Sequence, residues 1–141
     1  DFRPFMALRH APLAMTAHVL LPAFDEERPA SVSPVIMSEV IRELIGLTGL
    51  VMSDDIGMEA LGGPMAERAA AVIAAGCDVA LHCSGKFDEM REVARVVPPL
   101  DGMSAERFAS AIAELGEPHA FDADQALSLV SEAAGRSGSV A

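Results

Sequence analysis

Gly49-Leu50-Val51-Met52-Ser53-Asp54-Asp55 is a short apolar run that ends abruptly in two adjacent carboxylates. A strand that delivers ionised side chains at its C-terminal end is how parallel α/β enzymes bring catalytic groups to the mouth of a sheet. Asp54 is therefore the first candidate for a catalytic residue. If both acids are extended they face opposite ways, so they read as one functional group and one structural neighbour rather than as a paired acid and base. The ordinary alternative for a Ser-Asp-Asp triplet is a helix N-cap or a solvated strand end.

Working outward, Leu13-Ala14-Met15-Thr16-Ala17-His18-Val19 is a second apolar run with one polar side chain near its end. It reads as a buried parallel strand. Residues 20–32 carry Pro22, Pro29 and the charged group Asp25-Glu26-Glu27-Arg28, and read as a long loop of the kind that carries function. Ser33-Pro34 supplies an N-cap and a proline at the first helical position, and Val35, Ile36, Val40, Ile41, Leu44 and Ile45 then repeat at helical spacing up to Gly46.

On the other side, residues 54–63 form a glycine-containing loop, Pro64 opens a helix over 65–75, and Gly76 closes it. Residues 78–83 make a third apolar strand ending in His82 and Cys83, followed by a helix over 87–96 that stops before Pro98-Pro99. Strand starts at Leu13, Leu50 and Val79 stand 37 and 29 residues apart, the size of βαβ units, which predicts a parallel sheet. Residues 2–9 read as the tail of a helix. Ser104 is expected to cap a helix to about residue 115, and Asp122 with Gln125 to cap one over 126–134 before a frayed tail at 136–141. A sheet of three βα units has two open edges, so the expectation is a part of a larger domain, with further chain upstream of Asp1.

The net charge of −11 argues against a nucleic acid or an anionic membrane surface as partner. No apolar run approaches the roughly 20 residues of a membrane span. Cys77 and Cys83 lack a Cys-x-x-Cys spacing and read as free thiols of a reducing compartment, so the expected location is the cytoplasm. His18 and His82 close the outer strands as Asp54 closes the middle one, and this gathering at one mouth says more than any single residue. Taken singly, each histidine is more simply a hydrogen-bonded core residue. No dinucleotide fingerprint, phosphate loop, nucleophile elbow or zinc spacing occurs, and neither a metal nor another cofactor is expected.

Several separated motifs, Ala14-Met15-Thr16-Ala17-His18-Val19, Arg28-Pro29-Ala30-Ser31 with Ser33-Pro34, the opening stretch with Met58, Ala66-Glu67-Arg68 and Ala75-Gly76-Cys77-Asp78, closely resemble the bacterial β-N-acetylhexosaminidases of glycoside hydrolase family 3. The resemblance runs over residues 1 to about 115. It implies an α/β fold in which this chain is the C-terminal portion, strands 6–8 and their helices, of a TIM (β/α)8 barrel over residues 1–116, with a C-terminal helix and tail over 117–141.

It further implies retaining hydrolysis of terminal β-linked N-acetylglucosamine from peptidoglycan-derived muropeptides, with Asp54 as the nucleophile that forms a covalent glycosyl intermediate. The family's acid/base histidine lies in a Lys-His-Phe-Pro-Gly-His-Gly loop that this sequence lacks, so the chain alone is expected to be inactive. His18 and Met58 are the expected substrate-binding residues. Gly57 stands where the family commonly has Ser. The alternatives are a β-glucosidase or phosphorylase of the same family, or an inactive carbohydrate-binding or interaction fragment.

Overall fold

The computed structural model describes residues 1–116 and 122–137. Its centre is a three-stranded parallel sheet of β1 (Leu13–Met15), β4 (Leu50–Asp55) and β5 (Val79–Leu81), in the order β1-β4-β5. The apolar run with the two acids is thus the central strand. Leu13 pairs with Leu50 and Met15 with Met52 on one side of β4, and Met52 pairs with Val79 on the other. Parallel strands need long crossovers, and helices supply them: Ile36–Leu44 between β1 and β4, and α2 (Met65–Ala75) between β4 and β5.

β1 is shorter than the sequence pattern suggests. After Met15 the Thr16 amide still bonds across to β4, donating to the Met52 carbonyl at 2.9 Å, and the backbone then leaves the ladder. Residues 20–32, expected to be loop, hold an antiparallel hairpin instead, β2 (Leu20–Leu21) against β3 (Asp25–Pro29). The acidic composition of β3 hides it, because the strand is stabilised locally by a side chain. One Asp25 carboxylate oxygen accepts from the Glu27 and Arg28 amides at 3.0 Å each, and the other accepts from the Ser33 hydroxyl at 2.7 Å. The Ser33 hydroxyl, foremost among these, holds the Asp25 carboxyl below its usual range.

Ser33 caps the next helix as its sequence suggests, accepting from the Ile36 amide at 3.2 Å. That helix winds with the wider π pitch over Ile36–Leu44. Ser38 Oγ donates back to the Pro34 carbonyl at 2.8 Å and competes there with the ordinary amide ladder. Helix α2 and helix α3 (Phe87–Val96) match the expected bounds, and Gly76 ends α2 at φ +110°, where a side chain would be strained.

Ser104 is not a cap: it lies inside α4 (Gly102–Ala113). Helix α1 spans Arg3–Ala7, and α5 runs Ala123–Ser137 with the Asp122 carboxylate accepting from the Gln125 amide at 3.0 Å. Residues 117–121, where a second part was expected to begin, and residues 138–141 of the expected tail lie outside the described residues.

The core packs Val51 and Ile56 of the β4 segment against Met37, Leu61, Ala69 and Val72. Small residues on α2 allow the close approach. Gly49 admits no side chain at all, since a Cβ there would stand 2.1 Å from the Ala11 carbonyl oxygen. β1 and β5 each have one neighbour in the sheet, and Leu13 and Met15 are 46% and 54% exposed beside an apolar cleft of about 380 Å³ that Phe2, Leu8 and Val19 help line. Cys77 is buried and Cys83 exposed, both as free thiols, and burial pushes the Cys77 thiol up to about 11. Among the described residues no helix is long and apolar enough to cross a membrane.

Beneath the sheet lies a buried carboxylate, Asp78, whose side chain is 1% exposed. One of its oxygens accepts from Arg42 Nη2 and the Val51 amide, each at 2.8 Å, and the other from the Ser104 hydroxyl at 2.6 Å and Arg107 Nη1 at 2.8 Å. Burial alone would raise this carboxyl, but the Ser104 hydroxyl, the Val51 amide and the Arg107 guanidinium together hold it below its ordinary 3.8. Asp78→Ala in the full-length protein strands two guanidinium groups at once, and we expect a loss of about 3–5 kcal/mol, read as a lowered urea midpoint. Because the folded-state value is depressed, the stabilisation from Asp78 is complete above the unfolded carboxylate range and drains away as pH falls through the lowered value. Acid titration followed by circular dichroism should show a smaller acid-induced stability loss in Asp78→Asn than in the parent.

Candidate active site

All three sheet strands run the same way, so the polar residues at or just beyond their C-terminal ends gather at one edge: His18 after β1, the Asp54-Asp55 pair that ends β4, and His82 after β5. The pairing of β4 with β5 shifts there. Met52 opposes Val79 while Asp55 opposes Leu81, so three steps along β4 match two along β5. A bulge of this kind re-aims side chains at the end of a strand. Ser53, fully buried, fills the irregularity: its hydroxyl accepts from the Leu81 amide at 3.1 Å and donates to the Asp54 carbonyl at 2.7 Å.

The two carboxylates then take different roles. Asp55 is held from several directions, with Oδ1 accepting from the Gly57 amide at 2.9 Å and the Cys83 amide at 3.1 Å. Its carbonyl accepts from His18 Nε2 at 2.9 Å and from the Met58 amide at 3.0 Å. Asp54 is half-buried, and among the described residues its carboxylate accepts only from the adjacent Asp55 amide, at 2.8 Å on Oδ1. Asp54 Oδ2 thus has no hydrogen-bond donor among the described residues, while Asp55 fixes the strand end that carries it.

Neither histidine bonds to Asp54 among the described residues. His18 spends both ring nitrogens on the protein, Nδ1 on the Ser31 hydroxyl and Nε2 on the Asp55 carbonyl. The His82 side chain is 6% exposed, and its Nε2 lies 3.0 Å from Glu89 Oε2 and 3.2 Å from Ser84 Oγ. The Ser84 hydroxyl, then Lys86 and His82, pull the Glu89 carboxyl down to about 2. His82 thus ties the end of β5 to the first turn of α3.

Met58 sits on the loop after the acids, 44% exposed, with its amide on the Asp55 carbonyl. Among the described residues no group of three or more His, Cys, Asp or Glu could hold a metal ion.

Sequence reasoning assigned no role to Arg68, which staples this loop. Its Nη1 donates to the Ile56 and Met58 carbonyls at 3.0 Å each, and its Nε to the Gly63 carbonyl at 2.9 Å. On periodicity alone an arginine in the first turns of α2 looks like a solvated residue. The signal that could have found it is the adjacent glycine-containing loop, whose carbonyls need donors. Ser31 and Ser53 were given no role of their own for a related reason, since a lone serine in a loop or an apolar run carries no periodic signature.

A family model described as the glycosyl hydrolase family 3 N terminal domain matches residues 1–115. A protein named beta-hexosaminidase from Chromobacterium violaceum is 38% identical over 112 residues, covering 77% of this chain and 31% of that protein. Another of that name from Alkalilimnicola ehrlichii is 40% identical over 112 residues, covering 77% of this chain and 32% of its own length. The crystal structure of native NagZ from Neisseria gonorrhoeae superposes with a TM-score of 0.66 at 30% identity, covering 79% of this chain and 32% of that one. The chain therefore spans about a third of the length of the relatives it matches.

If Arg68 is the staple of the 56–63 loop, Arg68→Ala should raise amide hydrogen exchange there and destabilise the full-length protein by about 2 kcal/mol, with Arg68→Lys only partly restoring protection. Hydrogen-exchange mass spectrometry on peptides covering that loop checks this. Unchanged exchange would show that the loop holds itself.

Proposed function

The chain belongs to glycosyl hydrolase family 3, and from that premise we propose that it carries the nucleophile of a retaining β-N-acetylhexosaminidase. The observation that supports this most is the asymmetry of the Asp pair. Asp54 stands at the end of the central strand with one carboxylate oxygen uncommitted, while its neighbour is clamped by amides and a histidine. A rigid strand presenting a lightly bonded carboxylate is what attack on an anomeric carbon requires.

In the proposed reaction an Asp54 oxygen forms a bond to the anomeric carbon of a terminal β-linked N-acetylglucosamine, and the glycosidic C–O bond breaks with its electron pair on the leaving oxygen. A general acid supplies that oxygen's proton. Water, deprotonated by the same group, then attacks the anomeric carbon, releases the Asp54 carboxylate and restores the β configuration. The acid/base group comes from another segment of the protein, in keeping with the missing Lys-His-Phe-Pro-Gly-His-Gly loop. Met58, exposed on the loop that follows the two acids, is proposed to line the sugar pocket.

We place the three parallel strands as the last three of a (β/α)8 barrel over residues 1–116, with 117–141 as an appended helix and tail. The singly paired strands β1 and β5, with apolar side chains exposed along β1, support the presence of further strands on either side. The physiological substrate is proposed to be a peptidoglycan-derived muropeptide handled in the cytoplasm, a location in keeping with two free thiols.

The full-length protein should release nitrophenol from the β-N-acetylglucosaminide in preference to the β-glucoside, with retention at the anomeric carbon by NMR, and Asp54→Asn should reduce turnover to background. Preference for the glucoside, or for phosphate over water as acceptor, would move the protein to the β-glucosidase or phosphorylase reading. Full turnover by Asp54→Asn would remove the nucleophile assignment. The 141-residue chain on its own should be inactive, and measurable turnover by it would refute the division of the catalytic groups between two segments.

A further inference from the structure

His18 was expected to touch the sugar, yet the structure gives its ring a different task. We infer that His18 is a positioning residue: it holds the peptide that comes after Asp54-Asp55 in place, and acts on the reaction through that backbone rather than through the substrate. The inference rests on the reading of Asp54 as nucleophile and adds to it the group that sets the nucleophile's orientation.

The hydrogen bonds determine the proton arrangement. A carbonyl oxygen only accepts, so the 2.9 Å contact from Nε2 to the Asp55 carbonyl requires a proton on Nε2. In the neutral ring Nδ1 is then an acceptor, and the Ser31 hydroxyl beside it is the donor. Ser31 is fully buried, so no water competes for that hydroxyl. Its place is fixed in turn by the short 3₁₀ turn Ala30–Val32 that succeeds the hairpin.

The chain of contacts runs from the β2–β3 hairpin through Ser31 and His18 to the backbone at the nucleophile. The same carbonyl accepts from the Met58 amide, so two donors fix its direction. On the far side the Ile56 amide donates to the Leu81 carbonyl at 2.9 Å, so the Asp55–Ile56 peptide is gripped at both ends, one by the β1 side and one by β5. A peptide held this way fixes Asp55, whose own amide donates to the Asp54 carboxylate at 2.8 Å. A shift of about 1 Å at a nucleophile is enough to cost roughly 100-fold in rate.

This arrangement gives a test that separates positioning from sugar binding. A glutamine amide nitrogen lies close to the place of a histidine Nε2, whereas an asparagine nitrogen lies close to that of Nδ1. In the full-length protein, His18→Gln should therefore keep the donor to the Asp55 carbonyl and retain kcat within a few-fold, while His18→Asn should lose about 10- to 100-fold in kcat with KM little changed. Thermal midpoints taken alongside identify any variant that fails to fold.

Ser31→Ala leaves His18 intact and removes only the group that selects its tautomer. Nitrogen-15 NMR of the imidazole should show Nε2 protonated in the parent and a share of the Nδ1-protonated form in Ser31→Ala. A rise in KM with kcat preserved in both His18 variants would make His18 a sugar ligand and overturn the inference. Equal loss in Gln and Asn variants, or an Nδ1-protonated ring in the parent, would overturn it as well. Should Asp54→Asn retain turnover, the nucleophile reading fails on its own, while the tautomer measurement still decides whether His18 holds this carbonyl.

Discussion

The geometry of the whole edge depends on a charge buried at the opposite end of the sheet. Taking a carboxylate out of water costs several kcal/mol, and Asp78 is tolerated only because four donors converge on its two oxygens. Those donors come from four places in the chain: the helix Ile36–Leu44, β4 and two turns of α4. Arg42 extends the network further, its Nη1 donating to the Leu47 and Gly49 carbonyls at 3.0 and 2.8 Å. The start of β4 is consequently pinned by a side chain that is itself pinned by Asp78. Gly49 has no space for a Cβ against the Ala11 carbonyl, and the Leu50 amide beside it donates to the Pro12 carbonyl at 2.9 Å, so the start of the strand lies tight against the chain entering β1.

A fixed start makes a fixed end meaningful. β4 is six residues long, Leu50–Asp55, and its last residues meet the register shift against β5. Without Ser53 that shift would leave the Leu81 amide without a partner inside the protein, a cost of about 1–3 kcal/mol. With it the irregularity is satisfied, and the strand can turn its last two side chains to different uses. Asp55 becomes an anchor held from the segments that follow both flanking strands, through the His18 ring on one side and the Cys83 amide on the other. Asp54 inherits a defined position with a single hydrogen bond on its carboxylate among the described residues.

Much of this order was legible in the sequence. The βα spacing gave the parallel sheet, and the helices over Met65–Ala75 and Phe87–Val96 stand where proline, glycine and periodicity placed them. The hairpin was not legible, because Asp25-Glu26-Glu27-Arg28 has no alternating apolar face and owes its conformation to an Asp25 side chain bonding its own backbone. Ser104 looked like a cap because serine usually is one, and only the third dimension reveals that its hydroxyl belongs to Asp78, 26 residues away. The candidate site divided the same way. That polar groups would meet at one edge is dictated by strand direction, but which atom each group holds depends on loop geometry that periodicity does not encode.

The two histidines show why a polar residue at a strand end is weak evidence for contact with a substrate. Each sits where the strands end, and each is engaged by the protein: His82 through Nε2 with Glu89 and Ser84, its buried Nδ1 having no partner among the described residues, and His18 through both nitrogens with Ser31 and the Asp55 carbonyl. An enzyme that works by electrostatics and placement needs more groups to hold the reacting ones than to react, because the precision required of a nucleophile is finer than a lone side chain's thermal freedom. The reaction proposed for Asp54 sharpens this demand, since in it the same carboxylate forms a bond to carbon and later gives it up. A carboxylate with many donors would be too stable to attack, and one with none would wander. Asp54, lightly bonded on a strongly anchored strand end, avoids both conditions, and the surrounding polar residues are best understood as what makes that compromise possible.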